Sequence, residues 1–145
     1  MAITTSVICN SFKKELFEGT HNFKQTGGNS FKLSLYTNSA VLGKSTTSFT
    51  TDAQVSNSGQ YTSGGGALVN GGTSLSTNTA IVDFADRSFT GVTLTARGAL
   101  LYNDTASGDP AVCVLDFGGD KTATSGTFTI QFPAFSSSAA ILRVT

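Results

Sequence analysis

The chain has 145 residues, enough for one domain with a real core, and its formal net charge is zero. Only 12% of the residues are charged, well below ordinary globular usage, and the few Lys and Arg are scattered along the chain. Electrostatic capture of nucleic acid therefore has little to work with, and no run approaches the ~20 apolar residues that span a bilayer.

The opening segment, Met1 to Ser6, lacks the positive region of a signal peptide, so synthesis in the cytosol without export is the expectation. Cys9 and Cys113 are too few and too far apart for a disulfide framework, and two buried thiols are expected. Ile8, Phe12 and Leu16 fall at i, i+4, i+8, and Phe17 widens that stripe. The spacing predicts one short helix, capped by Ser6 or Asn10 and ended by Gly19 in the left-handed position. A helix of two to three turns is marginal alone and must lie on its own sheet or on a neighbour.

Everything after Gly19 reads as strands and turns. Phe31, Leu33 and Leu35 alternate with polar neighbours, which predicts a strand with one buried face. Residues 45–51 form a weak polar strand around Phe49. The Gly/Ser/Thr/Asn-rich run 56–79 reads as a long exposed excursion anchored by Leu68 and Val69. Strands are expected over 80–84 and 89–96. Gly98 marks a bulge or a close backbone approach before Ala99 to Tyr102. The apolar run from Ala111 to Phe117 fits a strand covered on both faces. Phe128, Ile130 and Phe132 alternate again, and the chain closes with 139–144. Turn signals lie between, among them Ser107 to Pro110, Gly118-Gly119-Asp120 and Ser125-Gly126. The predicted fold is mostly β: an antiparallel β-sandwich, jelly-roll-like, with one short N-terminal α-helix. It is a single domain, 1–145, with the helix and its exit over 5–20 and the sandwich over 30–145.

Signals for chemistry are weak. His21 is the only histidine, at the helix exit with no nucleophile motif nearby, and reads as a loop anchor. Cys9, Cys113 and His21 lack the close ligand pairs of zinc sites. Gly118 to Thr122 resembles a phosphate loop only faintly and reads better as a hairpin turn. Asp83 with Asp86, and Asp116 with Asp120, sit at strand ends where Asp commonly bonds turn backbone. Eleven Phe and no Trp, with Phe at alternating strand positions, read as core and not as a sugar platform. No catalytic residue, cofactor or metal is expected.

Several segments taken together carry a likeness. They are the run from Lys14 to Phe23, Phe31 to Thr37, Tyr61 to Gly65, Ala96 to Asn103, Leu115 to Gly118, and Phe128 to Pro133. Across nearly the whole chain this resembles a family of small β-rich virion structural proteins of tailed bacteriophages, common in phages of marine and freshwater bacteria. The resemblance implies a non-enzymatic virion component made in the bacterial cytoplasm. It is expected to be a capsid decoration, or cement, protein that binds the major capsid protein and stabilises the icosahedral shell. The alternative is a tail or fibre protein whose Ser, Thr and Asn-rich loops bind host-surface carbohydrate, with Tyr61 as a stacking ring. A homo-oligomer is expected, a trimer by what the resemblance and shell symmetry imply, with no nucleic acid or membrane partner. The low charge makes the surface cheap to desolvate, and Phe12, Leu16, Phe17 and Phe23 are the expected inter-subunit contacts.

Overall fold

The structure is a computed structural model and describes residues 3–145. The chain runs β1 (Val7–Ile8), α1 (Asn10–Phe17), β2 (Phe31–Tyr36), β3 (Gly66–Ala67), β4 (Asn70–Ser76), β5 (Thr79–Phe84), β6 (Arg87–Asn103), β7 (Ala111–Ile130) and β8 (Leu142–Val144). These strands form two antiparallel sheets, ordered β1-β7-β6-β2-β3 and β4-β5-β8. The mostly-β reading with one short helix holds. The five-plus-three strand order does not reproduce the two four-stranded sheets of a jelly roll.

The long hairpin β6–β7 is the frame. β2 pairs with the end of β6, from Phe31 opposite Asn103 to Tyr36 opposite Gly98. β1 pairs with β7 at Val114 and Cys113. The turn expected at Ser107 to Pro110 lies in the loop that joins the two strands, with Gly108 and Asp109 at positive φ. Gly98 sits at a register shift, as its isolation in the pattern predicted. A Cβ there would run into the Leu115 carbonyl oxygen and meet the Ile3 Cδ1 at 2.7 Å.

Other expectations give way. Gly118-Gly119-Asp120 is not a hairpin turn but a bulge inside β7. Ala96 opposes Lys121 while Gly98 opposes Asp116, so Arg97 faces four residues, with Gly118 at φ 77°. Such a bulge carries the same turn chemistry as a hairpin loop, and the continued pairing on either side distinguishes them. Ser125 makes a second bulge at φ 46°. The run 56–79 is not one exposed excursion: it contains β3 and all of β4, which pairs with β5 through a tight turn at Thr77. Residues 45–51 contribute only a single bridge, Ser48 to Pro110. β2 is buried on both faces, since Ser34 and Tyr36 are as inaccessible as Phe31.

The helix also departs from expectation. Ile8 belongs to β1, and Phe12 is the one buried residue of α1. Cys9 holds the N-cap position without a side-chain capping bond, and the Asn10 amide donates instead to the Lys44 carbonyl. The C-terminal end behaves as predicted. Gly19 takes φ 73°, and the amides of Gly19 and Thr20 return to the Leu16 and Glu15 carbonyls, a Schellman cap.

A chain of rings ties helix and sheets together. Phe12 meets His21 at 4.8 Å and Phe23 edge-on at 5.9 Å. Phe23 stacks on Phe31 of β2 at 4.5 Å, and both lie edge-on to Phe84 of β5. Phe84 then reaches Phe132 at 5.9 Å. Edge-to-face and stacked pairs of this kind add to the burial of their area.

Substituting Gly98 tests the frame. Gly98→Val is expected to lower stability by about 2–4 kcal/mol, because a backbone oxygen blocks the new side chain. Gly119→Val, where a Cβ would meet open space, is the control and should stay within about 0.5 kcal/mol. Urea denaturation of both variants measures the difference.

Candidate functional site

Four places could carry function: a buried polar network at the helix exit, two surface clefts, and the apolar side chains left outside.

The buried network centres on Asn103, the last residue of β6. Its Oδ1 accepts from the amides of Thr105 and Ala106, which fixes the orientation of the side-chain amide. Its Nδ2 then faces Asn29 Oδ1 at 3.0 Å and His21 Nδ1 at 3.1 Å. Because that nitrogen donates, His21 Nδ1 must accept, and the ring proton sits on Nε2, which donates to Glu15 at 3.0 Å. Glu15, His21, Asn103 and Asn29 thus pin the helix, the loop after it and the β6–β7 loop together. The His21 side chain is fully buried and no hydroxyl or thiol nucleophile joins it. This matches the reading of His21 as an anchor.

The thiols are not set up for attack or metal binding. Burial, with Glu15 nearby, pushes Cys9 up to about 11, and burial pushes Cys113 up to about 12. Both are free and buried, as expected. Cys9 directly follows β1, whose last residue, Ile8, opposes Cys113. Among the described residues no group of three or more His, Cys, Asp or Glu could hold a metal ion.

Asp86 and Asp116 bond the backbone, as expected, and Asp120 a side chain. Asp86 accepts from the Phe132 amide, Asp116 accepts from the Gly118 amide and pairs with Arg97 at 3.3 Å, and Asp120 accepts from Asn38. Tyr61, named as a sugar-stacking ring, is buried. Its hydroxyl accepts from the Leu35 amide at 2.8 Å and its ring lies edge-on to Phe89.

The first cleft, about 730 Å³, runs beside β7. Its apolar lining includes Val7, Leu115, Phe117, Phe128, Phe132 and Ile141, with Lys121 among its polar residues. The bulges at Gly118 and Ser125 bend β7, and Phe117 and Phe128 come within 6.0 Å across it. The second cleft, about 860 Å³, has hydroxyls from Thr4, Thr5, Ser39, Thr46 and Ser48 in its lining, beside apolar Val41 and Leu42 and the charged Lys44 and Asp52.

Of the four expected contact residues, the structure separates two from two. Phe12 and Phe23 are 3% and 7% exposed and fill the chain's own core, so they cannot reach a neighbour. Leu16 is 38% exposed, and Phe17, the last residue of α1, is 95% exposed. Sequence reasoning missed a second apolar patch. Leu75 lies opposite Ala80, which lies opposite Val144, so one exposed row crosses β4, β5 and β8. The signal was faint because Leu75 stands alone in a polar stretch and the row forms only when the three strands pair.

No family model, curated protein or solved structure matches this chain. The site is therefore read from its own geometry.

Removing the Asn103 side chain should be severe, since Asn103→Ala orphans two backbone amides and the His21 ring together. A loss of about 3–5 kcal/mol is expected in urea denaturation, with the strand content of the surviving fold unchanged by circular dichroism. Alkaline pH should also weaken the fold. Burial raises the three tyrosines as well, Tyr36 to about 12. Each folded value lies above the unfolded one. The stability these groups contribute is therefore whole below about pH 9 and is lost as pH climbs through 11 and 12. Tyrosinate absorbance should rise near pH 10 in urea but stay flat there in the folded protein.

Proposed function

We propose that this chain is a non-enzymatic structural protein of a tailed-phage virion, acting as a capsid decoration, or cement, protein. The observation that carries the reading is a surface with few charges and large apolar side chains held out on rigid elements, Phe17 above all. Isolated charges cost much to desolvate, so an interface is built most cheaply from neutral polar and apolar groups. The residue pattern that resembles the phage family supports the same reading. The partner is the major capsid protein, and the working form is a homo-oligomer, a trimer by shell symmetry. Such a protein stabilises a shell by binding the assembled lattice better than separated subunits. No residue need transform anything for this to work.

A second reading is kept on one observation, the hydroxyl-lined cleft around Thr46 and Ser48. Neutral hydroxyls suit sugar recognition, and a tail or fibre protein that binds host-surface carbohydrate would use such a cleft.

Shells assembled with and without the purified protein, then heated, separate the two readings. Decoration predicts that added protein raises the temperature at which shells break. It also predicts that Phe17→Ala reduces the rise without lowering the melting point of the free protein. Unchanged shell stability, together with binding of the isolated protein on a glycan array, would move the protein to the tail.

A further inference from the structure

The apolar cleft beside β7 and the exposed end of α1 have matching chemistry. The cleft is aromatic-lined and open, and its volume of about 730 Å³ exceeds what one aromatic side chain needs. Its position beside a strand invites an added β-strand, but the edge is unsuited to one. The bulges at residues 117–120 and 124–125 break the row of outward amides and carbonyls. A side chain suits the cleft better than a backbone does. The same chain presents a candidate in Phe17, 95% exposed at the end of a capped helix and flanked by half-exposed Leu16.

Charge agrees with this pairing. Glu18 follows Phe17 directly and is tied only to Lys14, in an exposed i,i+4 pair of the kind that contributes little. Two charged residues line the cleft: Asp116 is paired with Arg97, and Lys121 has no ion-pair partner among the described residues. An inserted Phe17 would carry Glu18 to the cleft that Lys121 lines.

We propose that Phe17 of one copy of this chain seats in the β7 cleft of a second copy, with Glu18 facing Lys121. The contact joins two different patches, so two copies can exchange it reciprocally in a dimer or pass it head to tail around a ring. It rests on the homo-oligomer part of the proposed function and gives that oligomer its contact. An aromatic seated in a dry pocket with a charged pair at the rim is the usual anatomy of a dominant interface contact.

Sedimentation equilibrium of the full chain in the absence of shells tests it, so a failure here is distinguishable from a failure to bind capsid. Phe17→Ala is expected to weaken self-association by roughly 30-fold or more while leaving the fold intact, since the ring touches little of its own chain. Glu18→Lys and Lys121→Glu should each weaken association, and the double exchange should restore it. A chain that stays monomeric at about 1 mM overturns the proposal. So does an oligomer indifferent to Phe17→Ala, or a double exchange that fails to rescue. Binding of an apolar dye to a monomeric chain, unchanged by Phe17→Ala, would assign the cleft to a small ligand and overturn it equally.

Discussion

The pairing of β6 with β7 is the constraint from which the remaining architecture follows. Seventeen residues lie against twenty, and the mismatch is taken up at register shifts in four places. Each shift adds local twist, so the ribbon bends instead of extending as a flat blade. One end, from Arg97 to Asn103 and from Ala111 to Val114, is covered on both faces and receives β2 and β1. The other end keeps one face in solvent, with Phe89, Val92 and Leu94 turned inward. The cleft beside β7 follows from the same bend, because a straight strand could not bring Phe117 near Phe128.

Polar groups sit where the frame would otherwise come apart. Asn103 ends β6 and bonds to three segments at once, and Tyr61 reaches the Leu35 amide from a loop with no ladder of its own. Buried amides and hydroxyls that are fully bonded specify one arrangement, since any displacement strands several of them together. The loops between β2 and β4 are long, yet they are fastened by such bonds. Ser63 bonds the Val55 carbonyl, Gln54 accepts from the Gly64 amide, and the Tyr102 hydroxyl donates to the Gly64 carbonyl.

Period-two alternation made β2 and much of the long hairpin legible in the sequence, because apolar residues recur there on a face turned to the aromatic core. Where both faces are buried, as in β2, the polar partner Ser34 disguised the fact. β4 was illegible for a different reason. Asn70 to Ser76 has poor strand propensity, and it is a strand because β5 pairs with it, a tertiary effect that a local pattern does not carry. The bulges at Gly118 and Ser125 use the residues of a turn, so sequence alone could not tell a reversal from a kink. The helix shows the same limit at the candidate site. Phe12, Leu16 and Phe17 look alike as letters, and only the direction from which the sheet approaches puts Phe12 inside and Phe17 out.

The chain's ends meet distant parts of the frame. Ile3 lies against Gly98 and its carbonyl accepts from Arg97, and Val7 opposes Val114. The first strand to leave the ribosome therefore waits for one of the last before it finds its partner. Loop-closure entropy must be overcome before those contacts repay it, and chains dominated by such distant pairings fold slowly. During that delay Phe12, Phe23 and Phe31 are together on the nascent chain while the strands that cover them are unmade. The stack of Phe23 on Phe31, close in sequence, needs far less loop closure than those distant pairings.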